Sequence, residues 1–290
     1  MNNNPFEGEI AAPAKINLAL HVVGRRGDGY HLLESLAVFA DRVADRLAIE
    51  PAAEDRLVVD GPFAAGVPTN DRNIVLKALS LAREEASRLS FEIPPLLIRL
   101  TKALPHGAGI GGGSADAAAL LRRLGSLSAD LPENLGKRAA ELGADVPMCM
   151  IGRPLIARGI GEKLDPIEIG SMPSMVLVNP GKPVSTPAVF KALQNRENLP
   201  LPSLPEGGFK SREDLFVWLD ETRNDLQETA TAIEPAIGDA LEQLAATGAD
   251  FVRMSGSGST VFALYEGADH AKRGAESIAE ARPNWWIASA

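Results

Sequence analysis

The sequence is poor in cysteine, in aromatic residues and in positive charge. Its one cysteine, Cys149, cannot form a disulfide within the chain, and its apolar surroundings indicate a buried thiol in a reducing compartment. The 38 acidic residues outnumber the 29 basic ones, and the net charge of -9 argues against a nucleic-acid or anionic-membrane partner. Any phosphate group must therefore be bound by local features of the chain.

Long apolar runs and metal-ligand motifs are missing too. No apolar run reaches the length that a membrane span requires. The first ten residues, MNNNPFEGEI, lack a basic segment followed by an apolar one, so we expect no targeting segment there. One cysteine and 4 histidines make no zinc-type cluster. These features predict a cytoplasmic protein without a membrane partner and without a metal site built from its own residues.

What is present is the composition of a folded globular protein. Of the 290 residues, 45% are hydrophobic and 23% are charged, which is typical of a chain that buries a sizeable core. A chain of this length is long for one simple domain, so we predict two lobes. We find no internal repeat and no low-complexity block.

The first half alternates strand and helix patterns. In the stretch AKINLALHV, residues 14–22, apolar and polar residues alternate, so we predict a half-buried strand with Lys15 and Asn17 on its polar face. The glycines and aspartate of GRRGDGY, residues 24–30, predict a turn. Further strands are predicted at 46–49, 57–59, 96–100, 148–151 (MCMI) and 154–158, and helices at 74–89 (capped by Asn70 or Asn73), from the cap Ser114 to Gly125, and at 133–142.

The second half has a recognisable order of elements. Strands are predicted at 175–178, 251–254, 261–265 and 285–288, and helices at 235–246 and 268–281. The order strand-helix-strand-strand-helix-strand is a ferredoxin-like α+β plan. A polar, proline-bearing insertion, residues 194–214, follows the first strand, and we expect it to be exposed and mobile.

The stretch LPHGAGIGGGSADAAALLRRLG, residues 104–125, places five glycines within seven residues before a helix. Glycine allows positive φ and a close approach of backbone N–H groups to a ligand, and the helix start adds unpaired N–H groups and a positive dipole end. Together these predict a phosphate cradle. A tight turn is the alternative, but it needs only one or two glycines. The Lys-Ser/Thr pair of a Walker loop is missing, and no acidic strand end follows as a dinucleotide fingerprint requires.

Several stretches resemble one known family. PHGAGIGGGSADAA, residues 105–118, is similar to the second motif of the GHMP small-molecule kinases, and RMSGSGSTVFALY, residues 253–265, is similar to their third. PAKINLALHVVGRRGDGYHLLES, residues 13–35, resembles the first motif of one branch. LGADVPMCMIG (142–152) and STPAVF (185–190) also resemble that branch. These matches occur in order and span nearly the whole chain.

The resemblance implies an enzyme with two lobes. These are an ATP-binding, ribosomal-protein-S5-like N-terminal lobe, residues 1–165, and a ferredoxin-like C-terminal lobe, residues 166–290. It implies phosphoryl transfer from ATP, accompanied by Mg²⁺, to a hydroxyl of a small molecule. In the branch concerned, which serves non-mevalonate isoprenoid synthesis, that molecule is a cytidine diphosphate sugar alcohol. We expect a monomer or a weak homodimer.

Two residues match the family's catalytic positions. Asp145, in GADVP, matches the general base that accepts the proton of the attacking hydroxyl. Its alternative role is to cap a helix or close a turn. Lys15 matches the lysine that keeps the base ionised and stabilises the reacting oxygen. A solvated strand lysine is the alternative.

The remaining matches divide between the two ligands. Asn73 and Lys102 match positions near the adenosine, although Asn73 can simply cap a helix and Lys102 can be a solvated charge. Ser255 to Ser259 either bring amides to the substrate diphosphate or close a hairpin. The matches on the ATP phosphates are Pro105, Gly107, Gly109, Gly111, Gly112, Gly113 and Ser114, and those on the substrate are Asn17, Tyr30, His31, Thr186 and Phe190.

The substrate positions divide further. Tyr30, His31 and Phe190 would hold the cytidine by stacking and by hydrogen bonds to the base edge. Thr186 would lie by the sugar alcohol, and Asn17 would hydrogen-bond the substrate. Taken singly, the aromatic residues can be core, Thr186 can cap a helix, and Asn17 can be a satisfied strand residue.

The glycine motif departs from the branch pattern at Ala108, Ile110, Ala115 and Asp116. Ala115 removes a hydroxyl, and Asp116 places a carboxylate near phosphate unless it reaches Mg²⁺ or turns outward. Two rival functions stay open. One is a kinase of the same family acting on homoserine or mevalonate, and the other is a catalytically silent binding regulator.

Overall fold

The computed structural model describes residues 6–290, so residues 1–5 of the segment searched for targeting signals lie outside the described residues. The chain divides into two compact units that interleave along the sequence. Two long strands, β1 (Gly8–Arg25) and β2 (His31–Pro51), each begin in one unit and end in the other. Lobes at 1–165 and 166–290 stay a prediction. Unit 1 contains the chain up to Ala14, Val43–Leu104 and Gly111–Gly152, and unit 2 contains Lys15–Arg42, Pro105–Ile110 and Arg153–Ala290.

Unit 1 combines a small sheet with helices. The last part of β2 pairs antiparallel with β4 (Leu96–Thr101), which pairs in parallel with β3 (Arg56–Asp60). Leu96, Ile98 and Leu100 alternate into the core, as period-two patterning requires. The helices of this unit are α1 (Ile74–Arg88), α2 (Gly112–Gly125), α3 (Leu131–Arg138), a 3₁₀ turn (Ala139–Glu141) and α4 (Val146–Ile151).

Two predictions about unit 1 are wrong. Residues 148–151 were expected as a strand but belong to α4. A short apolar run does not distinguish strand from helix, and here Pro147 suits the first helical turn while Gly152, at φ 62°, ends the helix. The cap of α2 is Gly111 rather than Ser114, because Gly111 takes the left-handed conformation and the helix begins directly after it.

Unit 2 contains a four-stranded antiparallel sheet. Its strands are β7 (Ser174–Asn179), β8 (Phe251–Met254), β9 (Val261–Tyr265) and β10 (Trp286–Ser289), and they lie in the order β10-β7-β9-β8. With α8 (Ala236–Ala246) and α9 (Ala268–Ala281), these strands follow the predicted ferredoxin-like order, and Val176, Val178 and Ile237 belong to the core of this unit. Elsewhere in the unit, the first part of β2 pairs with β5 (Leu155–Gly159), which pairs with β6 (Lys163–Pro166).

The segment between β7 and α8 contains α5 (Thr186–Ala192), α6 (Arg212–Asp220) and α7 (Gln227–Ile233). Much of 194–214 is exposed, as predicted, but it is anchored to the rest of unit 2. Phe209 is fully buried with its ring centroid 5.4 Å from that of Trp218, and the Asn198 N–H donates to the Val22 carbonyl across 3.0 Å. The expectation of exposure is therefore wrong at Phe209.

The prediction of a half-buried first strand is also wrong. Lys15 and Asn17 do share a face of β1, but residues 14–22 are buried on both faces. Lys15 and Asn17 are each 5% exposed or less, and polar residues buried to this degree need hydrogen-bond partners. Within residues 6–290, no helix combines the length and the apolar character needed to cross a bilayer.

Candidate active site

The glycine stretch ends in unit 1 at the start of α2. Gly111 caps the helix at φ 66° and ψ 20°, a conformation that glycine adopts without a Cβ penalty. Its carbonyl accepts the N–H of Ala115 across 2.8 Å, which closes the first helical turn. The amides of Gly112, Gly113 and Ser114 have no intrahelical acceptor, since they belong to the first turn. The start of this 14-residue helix thus has the donors and the dipole that bind anions.

In unit 2, the earlier glycines are held by backbone contacts. A Cβ on Gly109 would lie 2.4 Å from the Ser255 carbonyl oxygen and 2.9 Å from that of Gly258. The Thr260 N–H donates to the Ala108 carbonyl (3.1 Å) and the Lys15 N–H to the Ile110 carbonyl (2.9 Å). The predicted third motif thus packs on this part of the loop, so Gly109 is required for packing as well as for any ligand.

Lys15 and Asn17 belong to one buried hydrogen-bond network in unit 2. The Lys15 ammonium donates to Asn17 Oδ1 across 2.8 Å, and Asn17 Nδ2 donates to Ser35 Oγ across 2.7 Å. Ser35 Oγ donates in turn to the Ala19 carbonyl across 2.6 Å, and the Asn17 N–H donates to Ser255 Oγ across 3.1 Å. The network fixes the Asn17 amide so that its oxygen faces the lysine. The alternative of a solvated strand lysine is wrong, because Lys15 is 5% exposed.

The predicted cytidine residues are only partly together. The rings of His31 and Phe190 stack with centroids 4.8 Å apart and an interplanar angle of 26°. A pyrimidine would stack on an outer face of this pair, since no ring fits between them at that distance. Tyr30 is 61% exposed and lies under the Arg26 guanidinium, 5.8 Å from the ring centroid.

His31 also offers an unused polar atom. Its Nε2 is buried and has no hydrogen-bond partner among residues 6–290. Burial lowers the pKa of this imidazole, and the charges of Arg196 and Arg25 lower it further, so the ring is neutral near pH 7. A neutral imidazole with a free nitrogen beside an aromatic face can read the edge of a base.

Thr186 lies at the start of α5. Its Oγ1 is 2.6 Å from Ser257 Oγ, so one hydroxyl donates to the other. The N-cap of α5 is Ser185, and the alternative role of Thr186 as the cap is therefore wrong. The hydroxyl pair joins two of the stretches that the sequence singled out.

Asp145 and Asn73 both flank helices of unit 1. Asp145 is the N-cap residue of α4, but its side chain makes no capping hydrogen bond to that helix. Asn73 is a full cap of α1: its Oδ1 accepts the Val75 N–H across 2.8 Å, and its Nδ2 donates to the Pro68 carbonyl across 2.6 Å. The capping role is thus confirmed for Asn73, while for Asp145 the side chain is not used in that way.

Lys102 is paired within unit 1. Its ammonium donates to Asp116 Oδ2 across 2.7 Å and also to Asp45 Oδ2, and all three residues are at most 3% exposed. Asp45 Oδ1 accepts the N–H groups of Ala103 (2.6 Å) and Leu104 (2.9 Å). Neither alternative written from the sequence holds, since Lys102 is not solvated and Asp116 does not turn outward.

Two residues with contacts in these networks, Asp45 and Ser35, were not predicted from the sequence. The sequence did contain a signal for Asp45, because this residue occupies one of the alternating buried positions of β2, together with Val43 and Leu47. A carboxylate in the apolar phase of a strand calls for a buried partner. Ser35 gave no such signal, because a serine is equally common in turns and on strand faces.

Family models match two stretches of the chain: the GHMP kinases N-terminal domain model matches residues 73–153, and the GHMP kinases C-terminal model matches residues 202–284. The chain belongs to the GHMP kinase family. The predicted α+β GHMP kinase fold, with its ribosomal-protein-S5-like and ferredoxin-like lobes, is confirmed, and so is the prediction of a small-molecule kinase.

Curated relatives resemble nearly the whole chain. The 4-diphosphocytidyl-2-C-methyl-D-erythritol kinase of Mesorhizobium japonicum is 50% identical over 281 residues, covering 96% of this chain and 93% of the relative. The kinase of the same name from Chelativorans sp. is 50% identical over 285 residues, covering 96% and 94%.

Solved structures agree. A crystal structure of 4-(cytidine 5'-diphospho)-2C-methyl-D-erythritol kinase has a TM-score of 0.77 at 36% identity, and 97% of this chain and 98% of that one are covered. Homoserine kinase from Cytophaga hutchinsonii has a TM-score of 0.70 at 16% identity, with 100% and 95% covered, which is a likeness of fold.

Proposed function

We propose that this GHMP kinase transfers the γ-phosphoryl group of ATP to the 2-hydroxyl of 4-diphosphocytidyl-2-C-methyl-D-erythritol, a step of the non-mevalonate route to isoprenoid precursors. The relatives that bear the name of this activity support the substrate, since they are 50% identical over 96% of the chain. The observation in the molecule that carries the proposal is the stacked His31–Phe190 pair with its unpartnered Nε2. Homoserine and mevalonate offer no pyrimidine for such a feature.

The first turn of α2 is the proposed site of the ATP phosphates. Phosphoryl transfer needs alignment and neutralisation of charge more than covalent help from the protein. The N–H groups of Gly112, Gly113 and Ser114 supply donors, and the helix dipole supplies partial positive charge. Asn73 and Lys102 remain proposals for the adenosine side, although the contacts described above already engage both side chains.

Mg²⁺ is proposed to arrive with the nucleotide as part of the substrate. Among residues 6–290, no group of three or more His, Cys, Asp or Glu side chains could hold a metal ion. Mg²⁺ keeps much of its coordination from phosphate oxygens and water, so a site built wholly from protein is not required. The ion would neutralise the phosphates while the chain orients them.

Asp145 and Lys15 are the proposed catalytic residues. Asp145 would accept the proton of the 2-hydroxyl, and its side chain is not used to cap α4. Lys15 would stabilise the negative charge that develops on the reacting oxygen, because a buried ammonium acts more strongly than a solvated one. The bond from Lys15 to Asn17 holds the ammonium in place, so Asn17 both positions the lysine and is proposed to contact the substrate.

The substrate's cytidine and sugar alcohol are assigned to unit 2. We propose that the cytosine stacks on the His31–Phe190 pair and bonds to His31 Nε2, with Tyr30 covering it. The Thr186 and Ser257 hydroxyls would bond to the sugar alcohol, since each can both donate and accept. The single cysteine supports our proposal that the protein is cytoplasmic, because thiols stay reduced there. We also propose a monomer or weak homodimer.

The direct test is a single-turnover assay. The purified protein is incubated with ATP, Mg²⁺ and the diphosphocytidyl substrate, and mass spectrometry looks for one added phosphoryl group. Homoserine and mevalonate are parallel substrates, and Asp145→Asn is the matched catalytic variant. We expect one product, from the cytidine substrate only, and strongly reduced formation by the variant. Phosphorylation of homoserine or mevalonate instead would move the protein to another branch, and binding of both ligands without turnover would favour a regulator.

A further inference from the structure

Asp116 in α2 has one engaged carboxylate oxygen and one unengaged one. Oδ2 accepts the Lys102 ammonium across 2.7 Å, whereas Oδ1 is buried and has no hydrogen-bond partner among the described residues. The side chain is 3% exposed. A charged oxygen left without a partner in such surroundings is strongly disfavoured. The geometry around Asp116 thus favours its neutral form.

The charge count of the cluster leads to the same conclusion. Two carboxylates, Asp45 and Asp116, share the one ammonium of Lys102. Both carboxylate oxygens of Asp45 accept hydrogen bonds, because it accepts two backbone N–H groups besides the Lys102 ammonium. If Asp116 were also ionised, the buried cluster would carry a net negative charge. Asp116 is therefore the member that takes up a proton.

The electrostatic surroundings of Asp116 support this count. Burial raises its pKa, the Lys102 charge opposes that rise and Asp45 adds to it, with a net upward shift. The helices packed on α2 bring few other ionisable groups. On the buried face of α1 the ionisable residue is Glu85, which pairs with Arg88 and Arg138, and α4 brings the Cys149 thiol.

The cluster lies directly beneath the start of α2. A Cβ placed on Gly112, the first residue of the helix, would lie 3.5 Å from both Lys102 Nζ and Asp45 Oδ2. The N–H groups that we propose for the ATP phosphates belong to this same turn. A buried negative charge at that distance repels phosphate and weakens the attraction of the helix dipole, whereas a neutral cluster does neither.

We propose that Asp116 is a positioning residue whose proton controls the affinity of the α2 N-terminus for ATP: phosphate binding and protonation of Asp116 favour each other. The inference rests on the proposed binding of ATP at this helix. Because such coupling is reciprocal, ATP binding draws a proton into the cluster, and ATP affinity falls as the pH rises through the range in which Asp116 ionises.

The test measures proton uptake on the whole chain. Calorimetric titration with Mg²⁺–ATP, in buffers of different ionisation enthalpy and across neutral to mildly alkaline pH, counts the protons taken up on binding. Asp116→Asn keeps the shape but cannot ionise, so we expect it to lose this uptake and the pH dependence of Kd. The affinity of wild type for Mg²⁺–ATP should fall by up to about tenfold as this one buried group ionises. Asp130→Asn, at an exposed cap position of α3 without a capping bond, is the control and should match wild type.

Outcomes separate this inference from the proposed function. If wild type takes up no more protons than Asp116→Asn, or the variant retains the pH dependence of Kd, the inference is overturned. If wild type does not bind ATP, the proposed function fails. Infrared spectroscopy of the nucleotide-free protein then tests whether Asp116 carries a proton. A protonated-carboxyl band that Asp116→Asn lacks would support the proton on Asp116, and its absence from wild type would overturn it. If the variant fails to fold, the calorimetry and the infrared spectrum of wild type still test the inference.

Discussion

The Gly109 carbonyl accepts a hydrogen bond from Ser255 Oγ across 3.1 Å, and the Ser255 carbonyl oxygen would lie 2.4 Å from a Cβ on Gly109. Two family motifs, far apart in the chain, therefore meet in unit 2 at a point where only glycine fits. The same serine accepts the Asn17 N–H, which brings in the first motif. The glycine loop is thus shaped by its neighbours as well as by any phosphate.

Gly109→Ala should destabilise the protein. Gly109 has φ 72°, which is unfavourable for alanine, and the added methyl would contact backbone that cannot move aside. We expect a loss of about 1–3 kcal/mol or more in the free energy of unfolding, measured by urea denaturation. Gly136→Ala is the control, because Gly136 lies in α3 with nothing near its Cβ position and should be stabilised by up to about 1 kcal/mol. Equal stability of Gly109→Ala and wild type would contradict the packing role.

Lys15→Met should reduce turnover while leaving the fold intact. Methionine preserves most of the apolar stem but removes the ammonium that donates to Asn17. If Lys15 stabilises the reacting oxygen, kcat should fall by about 10²–10³, as for loss of one preorganised donor. Lys163→Met, on exposed β6, is the matched control in steady-state assays. An unchanged kcat for Lys15→Met would remove Lys15 from the catalytic residues.

Phe190→Leu should weaken cytidine binding selectively. The substitution keeps an apolar side chain but removes the ring that stacks on His31 at 4.8 Å. We expect cytidine diphosphate to bind about 3- to 10-fold more weakly by titration calorimetry, because an aromatic pair contributes roughly 0.5–1.5 kcal/mol beyond its buried area. ATP affinity should not change. Tyr30→Ala is the companion variant, and equal weakening of both nucleotides would contradict the division of ligands.

His21 should make the protein sensitive to mild acid. Its ring is fully buried, with Nε2 accepting the Arg223 N–H across 3.1 Å and Nδ1 lying 3.0 Å from the Leu199 carbonyl. Burial lowers its pKa, and the Arg223 charge lowers it further, so the unfolded chain binds the proton more readily than the folded one. Stability must therefore fall as the pH drops from neutral through the ordinary range of histidine into the range of the lowered pKa.

The check is the urea midpoint of unfolding at neutral and at mildly acidic pH. His21→Gln keeps a side chain with an N–H donor group and an acceptor oxygen but cannot become charged, so its midpoint should fall less than that of wild type. The expected difference is on the order of 1 kcal/mol, since one unit of pKa shift corresponds to about that energy. His106→Gln, at an exposed position, is the matched control and should follow wild type. Parallel curves for His21→Gln and wild type would contradict this.

Much of the fold was predictable because its signals are local. The six elements of the ferredoxin-like plan follow from apolar periodicity, and the cap of α1 follows from Asn73 standing before an apolar helix, whereas α5, α6 and α7 were not predicted. The strand prediction for MCMI was wrong because four apolar residues suit strand and helix equally. The proline that favours the helix lies just outside them. The residues of the candidate site stay a prediction from the sequence, whereas their contacts could be described only from the structure.

By itself, the sequence determined several turns and many of the regular stretches, since glycine conformation, proline position and apolar spacing act over a few residues. It also determined the family, through motifs that survive as short strings. Only the tertiary structure decided which charges are neutralised: Lys102 meets Asp45, 57 residues away, in a place that water does not reach. The reason is physical, because the state of a charged group depends on the groups around it in space, and chain positions so far apart place no constraint on one another until the chain folds.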